Sequence, residues 1–241
     1  MSVKIITVDN NKLLKEFIML PFELYKNEAN WVAPLISEQK KFFNPEKNPF
    51  YEHSEAQLFI AYRNNKPVGR ISAHTNTRHN NTFNDKLGFF GFFECIDDKE
   101  VAHSLLNKAA EWNLSKGKNS MRGPMNFSLH NECGTLIDGF DTPPFVMMTH
   151  NHAYYPELLD SYGLQKAMDI FAYMVAPEKT PERLEKFVQM VQKRYNYTVR
   201  CLSKNKNEMK KDLQTVMQLY GEAWKDNWGA VKMSDKEFDN I

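Results

Sequence analysis

The sequence holds only three cysteines in 241 residues: Cys95, Cys133 and Cys201. Their odd number and wide spacing exclude a CxxC pair and a disulfide framework, and a reducing, cytoplasmic setting is the simplest expectation. No apolar run approaches the ~18 residues of a membrane-spanning helix. The opening MSVKIITVDNNKLLKEF has no basic segment followed by an apolar stretch and a small-residue cleavage site, so no targeting segment is expected. An excess of one charge is also missing, because 31 Lys and Arg face 30 Asp and Glu. Neither nucleic acid nor a membrane is therefore expected as partner. There is no Gly-x-Ser-x-Gly elbow, no P-loop and no dinucleotide fingerprint. His150-x-His152 with Cys133 lacks the spacing of a structural zinc site, so no metal is expected. Cys133 reads as an inert thiol rather than a nucleophile paired with His130 or His103.

The residues that are present, 42% apolar and 25% charged, have the balance of a globular protein. Aromatics at 13% suit a filled core or a sizeable pocket. Val3–Val8 alternates and is β-branched, which predicts a strand. Leu13, Leu14, Phe17, Ile18, Phe22 and Tyr25 then follow a helical period, with Pro21 as a kink or break. A second short helix is expected at APLISEQKKFFN, with Pro34 in its first turn. Ala56–Asn76 reads as a hairpin around Asn64-Asn65-Lys66, and TRHNNTFNDK as a polar loop. LGFFGFFECI is a third strand. A helix from Asp98 to Lys116 follows, capped by Asp97 or Asp98 and stopped by Gly117. A short strand lies at NSMRGPMNF. The irregular stretch Ser128–Phe145 is long enough to suggest function. YYPELLDSYG is a helix, Asp169–Val175 a strand, and PERLEKFVQMVQKRY an amphipathic helix. This order predicts a mixed α/β sheet flanked by helices.

The hairpin NNKPVGRISA, the long strand followed by EVAHSLLNKAAEWNLSKGKNSMRG, and the closing YYPELLDSYGLQKAMDIFAYMV resemble the GNAT-type acyl-CoA N-acyltransferases, in a little-studied bacterial branch. The resemblance covers roughly Val3 to Val175. It implies a GNAT-like fold and acyl transfer, acetyl in the first instance, from acetyl-CoA or another acyl-CoA to a small-molecule amine. The attack on the thioester is direct. In the family the helix after the long strand receives the pyrophosphate on its N–H groups and dipole. That implies Cys95, Ile96, Lys99, Val101 and Ala102 as cofactor-binding positions. The family's basic, glycine-rich entry loop is replaced here by Asp97, Asp98 and Glu100, carboxylates that repel a pyrophosphate. The alternative function is therefore a catalytically inactive GNAT-fold module that binds a small ligand or regulates.

Glu94 ends the long strand where several family members place a general base. Phe92, Phe93, Cys95 and Ile96 could desolvate it and raise its pKa, although an alternating strand can also aim a glutamate at solvent. Tyr155 is the implied acid for the leaving thiolate, and core packing is the other reading for it and for Tyr154. Asn126, Ser128, Asn131 and Glu132 are the expected acceptor contacts, or else bonds that fold the loop on itself.

The tail repeats an early pattern: Leu24-Tyr25 leads to Asn30-Trp31, and Leu219-Tyr220 leads to Asn227-Trp228. The expected organisation is a GNAT-like domain at 1–176, a connecting helix at 177–196, and the truncated start of a second GNAT-like unit at 197–241. A second GNAT-like half or a homo-oligomer is then an expected partner.

Overall fold

The computed structural model describes residues 2–174, 181–196 and 198–239. Three expectations touch residues outside that set. They concern Val175 at the end of the closing strand, 177–180 at the start of the connecting helix, and Tyr197 at the start of the second unit.

Five strands form one mixed sheet in chain order: β1 (Lys4–Thr7), β2 (Ala56–Arg63), β3 (Lys66–His74), β4 (Leu87–Cys95) and β5 (Ser120–Arg122). The first four are antiparallel neighbours, and β5 runs parallel to β4. Helices α1 (Asn11–Leu24) and α2 (Ile36–Phe42) precede the hairpin. Its two-residue turn sets Asn64 and Asn65 at φ 53° and 60°, a left-handed conformation that asparagine tolerates. Helix α3 (Thr77–Phe83) replaces the polar loop expected there. The Asn76 side chain accepts a hydrogen bond from the His79 N–H and caps it, and Asn84 ends it at φ 50°. Two asparagines that resemble loop residues thus serve as the helix's two ends.

Helix α4 (Lys99–Ser115) covers one face of the sheet with Val101, Ala102, Leu105, Leu106 and Ala109. Helix α5 (Tyr155–Tyr162) joins that core through Tyr155, Leu158 and Leu159, and Gly163 stops it at φ 97°. The opposite face carries a phenylalanine cluster with Phe17, Phe43, Phe50, Phe92 and Phe127. Helix α1 is continuous through Pro21. Pro21 has no N–H to give the Phe17 carbonyl, and an Arg70 guanidinium N–H fills that place at 2.8 Å.

The strand β4 carries one residue more than its partner. Ser72 faces Gly91 and Arg70 faces Glu94, so Ile71 alone spans Phe92 and Phe93. Phe92 adopts φ 48°. This bulge reverses the alternation of the strand. Phe90 lies before it, Phe93 and Cys95 lie after it, and all three pack on the α4–α5 face. Phe92 and Glu94 consequently point to the α1 face, beside Arg70.

By internal packing the chain divides into two compact units, Met1–Ala167 with Lys225–Ile241, and Met168–Trp224. The second contains α6 (Glu182–Tyr195) and α7 (Lys206–Trp224). The closing strand expected at Asp169–Val175 does not form within Asp169–Met174, nor does a strand form within 198–202. Neither segment has a ladder partner among the described residues, and extended chain without one is not a strand. Helix α8 (Asp235–Asp239) ends the described chain.

Gly91 marks the tightest backbone approach at the bulge. A Cβ there would lie 1.9 Å from the Met125 carbonyl oxygen. Gly91→Ala should destabilise the fold by roughly 2 kcal/mol or more, seen as a lower midpoint in urea unfolding. An unchanged midpoint contradicts this reading of the bulge.

Candidate active site

Glu94 sits where the bulge, α1 and the start of α5 converge. Its Oε2 accepts hydrogen bonds from the Tyr25 hydroxyl at 2.7 Å and from the Tyr155 hydroxyl at 2.6 Å. Its Oε1 lies 3.8 Å from the Arg70 guanidinium, directly across the β3–β4 pair. Burial pushes the carboxyl above its ordinary range, while Arg70 and the two phenols pull it back. Burial likewise pulls Arg70 below its ordinary value, against the pull of Glu94. The guanidinium rests over the Phe17 ring at 4.9 Å. Burial and the neighbouring carboxylate hold both phenols far above the usual tyrosine range, so each stays a protonated donor.

Four rings form a column beside this carboxylate. Trp31 stacks on Tyr25 at 5.1 Å, Tyr25 on His152 at 4.3 Å, and His152 on Tyr154 at 5.0 Å. Glu28 holds the His152 Nδ1 at 3.5 Å. The Tyr155 hydroxyl accepts the Cys95 N–H at 3.0 Å, and the Tyr154 hydroxyl donates to the Cys95 carbonyl at 2.7 Å. The outer edge of β4 is thus read by two tyrosines from consecutive positions.

The strands β4 and β5 stay paired only from Leu87 to Phe89. Beyond that point the Asn126 side chain links β4 to the loop after β5, its Oδ1 accepting the Phe92 N–H at 2.8 Å. Its Nδ2 donates to Glu132 at 3.0 Å. Asn126 and Glu132 therefore reach the bulge next to Glu94. Ser128 and Asn131 bond to each other instead, the Asn131 amide donating to the Ser128 hydroxyl at 3.1 Å, and fold the loop on itself.

The expected cofactor positions are arranged differently. Val101 and Ala102 are core side chains, and Ile96 donates its N–H to Val68 in the sheet. Lys99 pairs with Glu157 at 3.0 Å. At the start of α4 the Asp98 carboxylate accepts the Val101 N–H, and Arg63 forks onto Asp98 at 2.7 and 3.0 Å and onto Glu100 at 2.7 Å. The Arg63 hydrogen bonds hold Asp98 below the usual carboxylate range. The chain's own carboxylates therefore occupy the dipole end that a pyrophosphate would take.

The structure brings Glu94, Tyr155, Asn126 and Glu132 together. It adds Tyr25, Arg70, His152 and Glu28, none of which the sequence singled out as site residues. Tyr25 looks like one more apolar position of α1. The only signal for Arg70 is a charge in the middle of a strand.

No family model matches the chain. It is 34% identical over 237 residues to the Bacterial ceramide synthase of Caulobacter vibrioides, covering 98% of this chain and 61% of that protein. To Protein YghO of Escherichia coli it is 33% identical over 231 residues, covering 95% of this chain and 58% of that protein. The chain thus spans about three-fifths of the length of these relatives. Among solved structures it is similar to AAC(6')-Iy with a bisubstrate analogue of CoA, at 12% identity and TM-score 0.44 over 73% of this chain and 99% of that one. It is also similar to an aminoglycoside acetyltransferase from an uncultured soil metagenomic sample in complex with trehalose. That match has 13% identity and TM-score 0.41 over 72% and 97%.

The Glu94 carboxyl should titrate above the ordinary value of about 4.3. Its midpoint should rise further in Tyr25→Phe, because that variant removes a donor to the charged form. Carbon-13 NMR of labelled glutamate reads both. A midpoint at or below the ordinary value, or one unmoved by Tyr25→Phe, contradicts the arrangement.

Proposed function

We propose that the chain is a GNAT-type N-acyltransferase that joins an acyl group from acyl-CoA to the amine of a long-chain base. The observation that carries the reading is the Glu94 carboxylate, partly buried and bonded at 2.6 Å to Tyr155. The amine nitrogen attacks the thioester carbonyl carbon, and the carbon–sulfur bond breaks. Glu94 takes the proton that the nitrogen loses, and Tyr155 gives its hydroxyl proton to the departing thiolate. Glu94 passes its proton to Tyr155 along their hydrogen bond in the same step, so Tyr155 never stands as a phenolate and the cycle closes with amide and free thiol as products. Tyr25 and Arg70 hold the carboxylate in place and keep enough of it ionised to act as a base. Because Glu94 works in its deprotonated form, activity falls as pH drops through its raised pKa.

The relation to a ceramide synthase supports the acceptor, since a ceramide is the amide of a long-chain amino alcohol. Asn126 and Glu132, beside the bulge, are the groups we assign to the acceptor amine. The filled start of α4 favours a second reading, a ligand-binding module without acyl-CoA chemistry.

Glu94→Gln should lower acyl transfer at least about 100-fold, the span usual for a lost general base, while calorimetry gives acyl-CoA affinity close to that of the parent. Equal turnover removes Glu94 from the mechanism. Absence of acyl-CoA binding by the parent chain favours the module.

A further inference from the structure

The loop that carries Asn126 and Glu132 is a closed hairpin. At its base the Gly134 N–H donates to the Pro124 carbonyl at 2.8 Å, Met125 bridges Cys133, and the Asn126 N–H donates to the Glu132 carbonyl at 2.9 Å. Asn126 and Glu132 thus face each other across the base, joined a second time by their side chains at 3.0 Å. The tip of the hairpin is Leu129 and His130. Leu129 packs against the cluster of Leu87, Phe89 and Met125.

The tip is gripped by residues 225–239, which belong to the same compact unit. His130 Nε2 donates to the Val231 carbonyl at 2.8 Å, across 101 positions of sequence. Gly229 is buried at φ 68°, and a Cβ there would lie 2.6 Å from Leu129 Cδ1. On both sides of this grip the segment is fastened to other elements. Before it, the Arg122 guanidinium at the end of β5 rests over the Trp228 ring at 4.6 Å. After it, the Arg78 guanidinium of α3 donates to the Lys232 carbonyl and to the Glu237 carboxylate, each at 3.0 Å. His53 Nε2 donates to the same carboxylate at 3.0 Å. His53 ends the turn whose Phe50 ring stacks on Phe127 at 4.4 Å, beside Asn126. Glu237 also accepts the Ser234 N–H at 2.7 Å, while the Ser234 hydroxyl accepts the Glu237 N–H at 3.2 Å, a capping box at the start of α8. One carboxylate thereby ties the segment to α3, to His53 and to its own helix.

We propose that residues 225–239 form a strap that positions Asn126 and Glu132 for the acceptor amine, with Gly229 and Glu237 as its positioning residues. The proposal rests on the reading of Asn126 and Glu132 as the acceptor contacts and deepens it by naming what fixes them. A short two-armed hairpin is marginal on its own, so its placement is set by what holds it. Here the base is bonded to the bulge, where Asn126 Oδ1 takes the Phe92 N–H, and the tip is bonded to the strap. Held at both ends, the hairpin cannot swing about its base. Phe92 precedes Glu94 by two residues, so the placement of the hairpin is also the placement of the acceptor contacts relative to the general base. The strap is joined to the body by charge-assisted hydrogen bonds at Glu237, which are the stronger kind. Gly229 is needed at the grip twice over, because its backbone is left-handed and because Leu129 fills the space of a side chain.

The test combines hydrogen exchange of the full chain, read by mass spectrometry, with steady-state acyl transfer to a long-chain 2-amino alcohol. The variants are Glu237→Ala, which removes the charged fastening, and Gly229→Ala, which drives a methyl group against Leu129. Both should raise exchange in 124–134 at least about tenfold and leave α4 at parental rates, the scale of a lost charge-assisted bond in a segment that opens locally. Both should raise KM for the amine at least about fivefold with kcat kept, the mark of lost positioning in the bound state. A chain that is merely less stable loses active molecules, and so loses apparent kcat at an unchanged KM. Parental exchange in 124–134 overturns the proposal, and so does raised exchange with a parental KM. A parent that transfers no acyl group ends the enzyme reading alone. The calorimetric affinity for the same amine then takes the place of KM, and equal affinity in parent and variants overturns the strap.

Discussion

The extra residue that β4 carries opposite Ile71 is the constraint on which the site depends. In a regular strand Glu94 would share a face with Gly88 and Phe90, and its carboxylate would enter the apolar layer beneath α4. The bulge exchanges the two faces beyond Gly91. Phe93 and Cys95 go to that layer, and Glu94 goes to the side where α1 offers Tyr25 and β3 offers Arg70. Gly91 permits the exchange because the Met125 backbone lies where a Cβ would be. Asn126 then satisfies the Phe92 N–H that the bulge takes out of the ladder.

A carboxylate and a guanidinium buried together lose much of their hydration, and their mutual attraction offsets this only with further hydrogen bonds. Those bonds come from unusual sources. Pro21 leaves the Phe17 carbonyl without its helical donor, and Arg70 takes it. Two phenols, fixed by the column of rings and by the Cys95 backbone, complete Glu94. A proline inside a helix and a glycine inside a strand, each unfavourable locally, thus serve the same pair of charges. The start of α4 shows the opposite economy, with Asp98, Glu100 and Arg63 closing on one another.

Much of the fold was legible because its signals are local. The alternation of β2 and β3, the period of α4, Gly163 after α5 and the Asn64-Asn65 turn each act within a few residues. The site was legible only in part. Glu94 and Tyr155 were singled out by their places in a resemblance to a known family, and Asn126 and Glu132 by their loop. Tyr25, Arg70 and His152 were not singled out, because what defines them is contact between elements far apart in the chain. The parity change at Phe92 also escaped, since no residue type announces a bulge. The α3 sequence reads as a loop because its asparagine caps are loop residues by composition. The strand at Asp169–Val175 was expected from alternation alone, which does not supply the partner that a strand requires.

The central claim is that the bulge, Glu94 and Tyr155 together make an acyl-transfer site. A crystal structure of the chain with a non-hydrolysable acyl-CoA analogue tests it most directly. The account predicts the sulfur position within hydrogen-bonding reach of the Tyr155 hydroxyl, with the carbonyl beside the bulge at Phe92. An analogue seated elsewhere, with its sulfur out of reach of Tyr155, contradicts it.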